Sequence, residues 1–245
     1  MILPNFGSDS SPARIRAFAE AAEGLGFHSV WATEHIAVGP EAVDPYGRVY
    51  DPLVTLGWVA GWTERVGLGT SIVLVPLHNP FHLAKETATL QDLSGARLTL
   101  GVGVGWHRDE FEFMGVPFEG RGRRADEAIR LMRALWRGKS SFEGRDWSYR
   151  NATAEPHPSP QPEVWVGGSS ERAIRRAREL GDAWHPSRGS DAAHVRHVKQ
   201  RHPDLRVVPR TPPQGVEAML EAGAEGAVVT FPDEAAMRDF ASRHL

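Results

Sequence analysis

Residues 90–111, LQDLSGARLTLGVGVGWHRDEF, combine the end of a helix, a Ser-Gly turn, a strand and a glycine-rich exit into a polar loop. In the strand, branched residues at 98, 100, 102 and 104 alternate with Thr99 and with Gly101, Gly103 and Gly105. A period of two is typical of a β-strand, whose successive side chains point to opposite faces. Glycine weakens a strand unless something approaches its backbone closely. We therefore predict that a flat, bulky ligand lies against the glycine face of this strand.

Glycines at a strand end also occur in dinucleotide-binding loops and in tight corners. The dinucleotide-binding fingerprint fails on spacing, because Trp106 and Arg108 stand where a third glycine would be needed. A tight corner at the end of a barrel strand remains an alternative.

The composition limits the class of protein. With 245 residues, of which 41% are hydrophobic, the chain can form a single α/β barrel or one to two smaller domains. The formal net charge of −3 gives no electrostatic reason to expect binding to nucleic acid or to an anionic membrane. The sequence has no cysteine, which excludes disulfides and thiolate metal sites. Neither a membrane-spanning run nor a signal-peptide pattern is visible, so we expect a cytoplasmic protein.

Strand and helix patterns alternate along the whole chain. We predict eight strands, at residues 1–6, 27–33, 66–75, 98–104, 164–166, 182–185, 205–208 and 226–231. Alternation of this kind implies a parallel sheet with right-handed crossovers, and eight such units close a (β/α)8 TIM barrel. An open, doubly wound sheet is the alternative. We expect one domain over residues 1–245, with an irregular insertion at 138–162 that contains a small hairpin.

Polar residues and glycines lie at the ends of five predicted strands and, as Thr70-Ser71, within a sixth. Since the active site of a barrel lies at the carboxyl ends of its strands, we expect these groups to converge on one site. They are Asn5-Phe6, Glu34-His35, Thr70-Ser71, residues 103–110, residues 167–170 and His185. His35, beside Glu34 and before a long loop at 37–51, is suited to exchange a proton with a reacting group, although a structural histidine is the alternative.

The stretch Gly167-Gly168-Ser169-Ser170 begins a predicted helix. Its backbone N–H groups could hold a phosphate, or the serines could only cap the helix. We predict no metal site, because Pro80 separates His78 from His82 and no cluster of two histidines and a carboxylate is visible. The lysines, at 85, 139 and 199, lie off the predicted strands, which argues against a Schiff-base aldolase.

Residues 79–129, NPFHLAKETATLQDLSGARLTLGVGVGWHRDEFEFMGVPFEGRGRRADEAI, resemble the bacterial luciferase-like superfamily of flavin and deazaflavin oxidoreductases. The segments VWATEH (30–35), LGTSIVLVP (68–76) and VWVGGSSERAIRRARELGDAW (164–184) match in the same order. The form G-V-G-W-x-x-x-E-F, followed by G-V-P-F and an arginine-rich turn, looks like the branch that uses coenzyme F420.

The resemblance implies a luciferase-like TIM barrel and a role for particular residues. His35 would lie beside the deazaflavin ring and assist proton transfer, and Ser71-Ile72 would form a non-prolyl cis peptide behind the ring. Glu110 matches a carboxylate of this branch that is either catalytic or orders its loop, and we favour the second role. The predicted cofactor-binding residues, including Phe6 and Thr70 from their strand-end positions, are Phe6, His35, Thr70, Ser71, Ile72, Gly103, Val104, Gly105, Trp106, Gly167, Gly168, Ser169 and Ser170.

We therefore expect hydride transfer between F420 and a small organic substrate. An FMN-dependent monooxygenase on the same barrel, or a barrel without a cofactor that acts as a binding or partner subunit, remains an alternative. Only 60 residues follow His185, so the C-terminal part is expected to be shorter than in the family. Such a pocket would be more open or completed by a partner subunit. Relatives are usually dimers, and we expect a homodimer.

Overall fold

The computed structural model describes residues 1–186 and 190–245. Within these residues the helices are α1 (Pro12–Leu25), α2 (Val43–Tyr46), α3 (Pro52–Ala60), α4 (Pro80–Leu93), α5 (Arg108–Phe113), α6 (Arg121–Trp136), α7 (Glu171–Leu180), α8 (Ala192–Arg201), α9 (Val216–Glu221) and α10 (Glu234–His244). The strands are β1 (Ser29–Ala32), β2 (Gly67–Thr70), β3 (Val73–Leu74), β4 (Leu98–Gly103), β5 (Phe142–Glu143), β6 (Ser148–Tyr149), β7 (Glu163–Gly167), β8 (Ala183–His185), β9 (Arg210–Thr211) and β10 (Val228–Val229).

The parallel strands form a closed ring. Strand β1 pairs with β2, β2 with β4, β4 with β7, and β7 with β8. Shorter contacts continue the ring, because Trp184 of β8 pairs with Val207, β9 pairs with β10, and Ile2 pairs with Trp31 of β1. The ring closes where the Ile2 N–H donates to the Val229 carbonyl of β10 at 2.7 Å. The predicted (β/α)8 barrel is thus confirmed.

The first helix shows how the sequence sets these elements. Pro12 occupies the first turn of α1, where its missing N–H costs nothing, and the Ser11 side chain accepts from the Arg14 N–H at 3.2 Å. Gly26 ends the helix with a φ of +84°, a conformation that favours glycine. Ile15 and Phe18 are buried on the face toward the barrel, and each contributes about 1.5–3 kcal/mol of hydrophobic stabilisation.

Aromatic side chains fill the interior of the barrel. The rings of Trp31 and Trp165 are tilted against each other with their centroids 4.7 Å apart, and the ring of His185 stacks on Trp31 with a centroid distance of 5.5 Å. Small and branched residues complete this cluster, which also contains Ile2, Ala183, Val208 and Val228. The cluster therefore forms a solid floor beneath the carboxyl ends of the strands.

The structure differs from the predicted strands in two respects. The predicted strand at 66–75 is divided into β2 and β3, because the peptide bond between Ser71 and Ile72 is cis and the chain bulges there. The predicted strands at 1–6, 205–208 and 226–231 are reduced to short pairings. Pro4 and Pro209 offer no N–H to a neighbouring strand, which limits two of these pairings.

The glycines in and just after β4 make room for protein groups, and the contact of a ligand with them stays a prediction. A Cβ atom at Gly101 would overlap the carbonyl oxygen of Thr70, and one at Gly103 would overlap the Ile72 side chain. At Gly105, where φ is +76°, a Cβ would lie 2.7 Å from the ring of Phe111. These positions carry no side chains because the bulge at residues 71–72 and helix α5 take up the space beside them.

The irregular segment at 138–162 contains the antiparallel pair β5–β6, so the predicted hairpin is present. No described helix combines the length and the apolar character that crossing a membrane would require.

The fit of the bulge against β4 can be tested by adding a methyl group at Gly101. Gly101→Ala should lower the free energy of unfolding by about 1–3 kcal/mol, because the Thr70 carbonyl is part of the backbone and must shift. Gly24→Ala is the matched control, since Gly24 is exposed on α1 and its Cβ would meet nothing within 4 Å. That control should gain about 0.4–1 kcal/mol. Urea unfolding measures both, and equal stabilities for the two variants would contradict the fit.

Candidate active site

A cavity of about 400 Å³ lies at the carboxyl ends of the barrel strands. Among the described residues, it is lined by Thr33, His35, Tyr46, Ser71, Ile72, Trp106, Gly167, His185 and Arg210. Groups that are distant in the sequence therefore meet at one rim, where barrel enzymes carry their active sites. We take this cavity as the candidate active site.

A larger cavity of about 650 Å³ lies at the opposite end of the barrel, near the starts of β1, β2, β4 and β7. Arg97 lines this cavity, and its guanidinium donates to the carbonyl groups of Ala60, Thr63, Val66 and Ser94. The guanidinium is therefore used to tie loops together. The amino ends of barrel strands are associated with stability, and we assign no chemistry to this cavity.

The best-defined polar group in the active-site cavity is the pair His35–Glu110. Glu110 on α5 is fully buried, and its two oxygens accept from the Ile36 N–H at 2.6 Å and from His35 Nδ1 at 3.1 Å. Since a carboxylate only accepts, His35 carries a hydrogen on Nδ1. Nε2 is then the ring nitrogen left for proton exchange with a bound molecule.

The loop that covers His35 is fastened to α5 by a second histidine. His107 is buried, and its Nε2 accepts from the Gly39 N–H at 2.8 Å. Nδ1 therefore carries the hydrogen and donates to Glu41 at 3.1 Å. Asp109 lies close to Glu41 and His107 and forms a cluster with them. Both ring nitrogens of His107 already have hydrogen-bond partners, so the cluster holds the loop in place. This cluster places the Tyr46 ring 4.2 Å from the ring of His35.

The bulge between β2 and β3 is held on its other side by Glu34. This buried carboxylate accepts from the Leu74 N–H at 2.5 Å and from His78 Nε2 at 2.9 Å. Burial lowers the pKa of His78, but the hydrogen bond and the charge of Glu34 outweigh it, and the pKa lies above its usual value. His78 therefore stabilises the bulge through Glu34.

The floor of the cavity contains Ser71 and His185. The hydroxyl of Ser71 lies 2.9 Å from His185 Nε2, and His185 Nδ1 lies 2.5 Å from the Val208 carbonyl. Burial is the largest influence on this imidazole and lowers its pKa to about 4, although the bond to Val208 opposes the shift. His185 is thus a neutral residue near pH 7.

The segment 167–170 lies between β7 and α7. Gly168 has a φ of +104°, and its carbonyl accepts from the Trp184 indole N–H at 2.7 Å. The Ser170 side chain caps α7 by accepting from the Ala173 N–H, and Ser190 donates to the Ser169 hydroxyl at 2.8 Å. The capping role of Ser170 is therefore present, and the binding of a phosphate by this segment stays a prediction.

The structure brings together only part of the predicted set. His35, Ser71, Ile72, Trp106 and Gly167 line the cavity. The remaining predicted residues do not contribute to the lining as far as the described residues define it; they are Phe6, Thr70, Gly103, Val104, Gly105, Glu110, Gly168, Ser169 and Ser170.

Three of these residues have partners that explain their placement. The Thr70 hydroxyl donates to the Gly101 carbonyl at 2.7 Å, and the ring of Phe6 lies behind Tyr46 with centroids 5.9 Å apart. Glu110 acts through His35 and Ile36, which makes it a positioning residue. The glycines Gly103 and Gly105 are faced by Ile72 and Phe111. Their contact with a cofactor stays untested.

Sequence reasoning did not single out Thr33, Tyr46 or Arg210 as site residues. Thr33 and Arg210 contact each other across the mouth, with Arg210 Nη1 3.3 Å from the Thr33 hydroxyl. Thr33 could have been found, since it immediately precedes Glu34-His35 at a strand end. Tyr46 lies within the loop predicted at 37–51 and Arg210 in a short strand that the sequence did not predict, so neither was marked by a position at the end of a predicted strand.

The role of Glu110 can be tested by replacing it with glutamine, the corresponding amide. Glu110→Gln offers one acceptor and one N–H₂ group, so it cannot accept from both Ile36 N–H and His35 Nδ1–H. We expect a loss of about 1–3 kcal/mol in the free energy of unfolding, and a shift of His35 toward the Nε2–H tautomer in ¹⁵N NMR spectra. Glu112→Gln, an exposed neighbour on α5, should change stability by less than about 0.5 kcal/mol. An unchanged His35 spectrum in Glu110→Gln would contradict this arrangement.

Comparison with solved structures supports the fold. In a search of solved structures, an F420-dependent secondary alcohol dehydrogenase in complex with an F420-acetone adduct superimposes with a TM-score of 0.82 over 96% of this chain and 94% of that one. The two sequences are only 16% identical, so the likeness concerns the fold.

Two curated relatives are more similar in sequence. F420-dependent glucose-6-phosphate dehydrogenase from Kineococcus radiotolerans is 35% identical over 179 residues, which cover 71% of this chain and 52% of the relative. The oxygenase component of flavin-dependent trigonelline monooxygenase from Acinetobacter baylyi is 30% identical over 160 residues, or 64% of this chain and 43% of the relative. The chain spans about half the length of these relatives.

A family model adds the decisive match. The model described as luciferase-like monooxygenase matches residues 3–208, which include every strand end that contributes to the cavity except that of β9. This chain therefore belongs to the luciferase-like monooxygenase family.

Proposed function

We propose that the protein is an oxidoreductase that transfers hydride between coenzyme F420 and a small organic substrate. The observation that carries the proposal is the cavity itself, in which His35 has Nδ1 engaged by Glu110 and Nε2 available to a substrate. The 35% identical relative named for F420 supports this cofactor.

The described residues fit a planar ring with a phosphate-bearing arm. Ile72, Tyr46 and Trp106 give the cavity apolar walls, and Ser71 and Arg210 add polar groups. The backbone N–H groups of residues 167–170, at the start of the ten-residue helix α7, would hold the phosphate. When bound, the deazaflavin supplies the hydride chemistry and reacts poorly with oxygen, since it has carbon in place of the reactive ring nitrogen of a flavin.

His35 supplies the proton chemistry in this proposal. In the oxidation of an alcohol, His35 Nε2 would accept the hydroxyl proton while the hydride would pass to the bound cofactor from the carbon that bears the hydroxyl, and the reverse reaction would return both. Glu110 accepts from Nδ1–H before and after this transfer, so the orientation of the ring is kept. Tyr46 and Trp106, with rings 4.2 and 6.0 Å from His35, exclude water from the reacting groups.

An FMN-dependent monooxygenase is the second candidate function. It is favoured by the 30% identity to the oxygenase component of a flavin-dependent monooxygenase. The same cavity would serve it, so only the choice of cofactor separates the two candidates.

Titration of the purified protein with F420 and with FMN, followed by fluorescence, tests the proposal. We expect F420 to bind and FMN to bind at least tenfold more weakly. Preferential binding of FMN, with oxygen uptake in the presence of a reduced flavin, would favour the monooxygenase. Binding of neither would contradict both candidates and leave a barrel without a cofactor.

His35→Asn tests the proton step within the same assay. The amide of Asn can still donate to Glu110 but has no group at the position of Nε2. We expect the dissociation constant for F420 to change by less than about threefold, while turnover falls by about 10²–10⁴. Turnover is measured by the loss of oxidised F420 absorbance on a panel of secondary alcohols and sugar phosphates. A variant with undiminished turnover would remove His35 from the mechanism.

We also propose that the chain forms a homodimer through α3. Val54 and Trp58 on this helix are 74% and 42% exposed, and Gly57 and Gly61 lie on the same face. A contiguous apolar face on a helix is typical of an association surface. Wild-type protein should elute as a dimer in size-exclusion chromatography with light scattering, and Val54→Glu should be a monomer. Leu220→Glu, on an exposed leucine of α9, should remain a dimer, and a monomeric wild type would refute the proposal.

A further inference from the structure

The hydrogen bonds on the cavity floor have a fixed direction. The Val208 carbonyl can only accept, so His185 must carry its hydrogen on Nδ1. Nε2 then has a lone pair and no hydrogen. Because Ser71 Oγ lies 2.9 Å from that nitrogen, the Ser71 hydroxyl must donate to it.

A buried environment preserves this direction. His185 is 2% exposed, and its ring lies against the Trp31 ring on the side of the barrel interior. Desolvation of the imidazole, with Arg210 nearby, disfavours a second ring proton. Ser71 is 7% exposed, so bulk water offers its hydroxyl little competition with His185.

A hydroxyl group has one hydrogen and two lone pairs. Since the hydrogen of Ser71 is committed to His185, the lone pairs are what Ser71 offers to a molecule in the cavity. A bound group that only accepts hydrogen bonds would meet unfavourable electrostatics at this position, whereas an N–H group would be satisfied.

We propose that Ser71 selects the imide N–H of a flavin-type ring by accepting its hydrogen bond, and that His185 is a positioning residue that holds Ser71 in the accepting state. The proposal rests on the proposed function in one respect, the class of ring that occupies the cavity. F420 and FMN share the imide, so the choice between these cofactors does not affect it.

Arg210 adds hydrogen-bond donors to the cavity, and the carbonyl groups of the imide are acceptors for such donors. The imide edge presents a carbonyl on each side of its N–H, in the order acceptor, donor, acceptor. Arg210 lines the same cavity and carries several N–H donors on a planar group. The cavity therefore contains both an acceptor, on Ser71, and a cationic donor group, on Arg210, for the imide edge.

A binding cycle tests the selection by Ser71. The probes are 5-deazariboflavin and its N3-methyl derivative, titrated by fluorescence against wild-type protein, Ser71→Ala and the control Ser141→Ala at an exposed serine. We expect the methyl group to weaken binding by about 10- to 100-fold in wild type and in the control. In Ser71→Ala the difference should shrink to about threefold or less, because the acceptor is gone. An equal ratio in wild type and Ser71→Ala would overturn the inference and leave the proposed function standing.

Two further readouts address His185. In ¹⁵N NMR spectra of the ligand-free protein, His185 should be the Nδ1–H tautomer, and the Nε2 resonance should shift in Ser71→Ala. His185→Asn keeps a donor for Val208 and releases the Ser71 hydroxyl, so the discrimination between the probes should fall toward that of Ser71→Ala. Detection of an Nε2–H on His185 would overturn the inference. Failure of the probes and of F420 and FMN to bind wild-type protein would instead refute the proposed function, and with it the ring on which the selection acts.

Discussion

The close fit between the glycines of β4 and the bulge at residues 71–72 is the constraint on which the site depends. Without side chains at Gly101 and Gly103, the Thr70 carbonyl and the Ile72 side chain can lie directly against the neighbouring strand. The bulge turns Ser71 toward His185 and Ile72 toward the cavity. Ile72 also lies 3.1 Å from where a Cβ would stand at Gly167, so a third strand is fitted to the same side chain.

Two buried carboxylates stabilise this arrangement from either side of His35. A buried charge is costly unless its oxygens are hydrogen-bonded. Glu34 and Glu110 meet this condition in the same way, because each accepts from one backbone N–H and one imidazole. Just beyond the end of β1, Glu34 supports the bulge, while the next residue, His35, lines the cavity.

The sequence was most informative where the signal is local. Alternation of strands and helices predicted the barrel, and polar residues at strand ends predicted the rim where His35, Ser71 and Trp106 meet. The glycine pattern of β4 predicted a close approach but could not say what approaches, because Thr70 and Ile72 reach it from another strand. The same limit applies to Ser71 and His185, which are 114 residues apart and meet only once the ring of strands has closed.

The two histidines of the cavity differ in what their Nδ1–H groups contact, and this difference separates two kinds of chemistry. The carboxyl group of Glu110 is the partner of His35 Nδ1, which leaves Nε2 of that ring for a molecule in the cavity. Val208 offers His185 only a neutral carbonyl, and burial near Arg210 lowers the pKa of this ring to about 4. In the proposed reaction, proton transfer would therefore occur at His35 on the wall of the cavity. The hydrogen bonds of Ser71 and His185 on the floor would keep their direction while the charge of His35 changes.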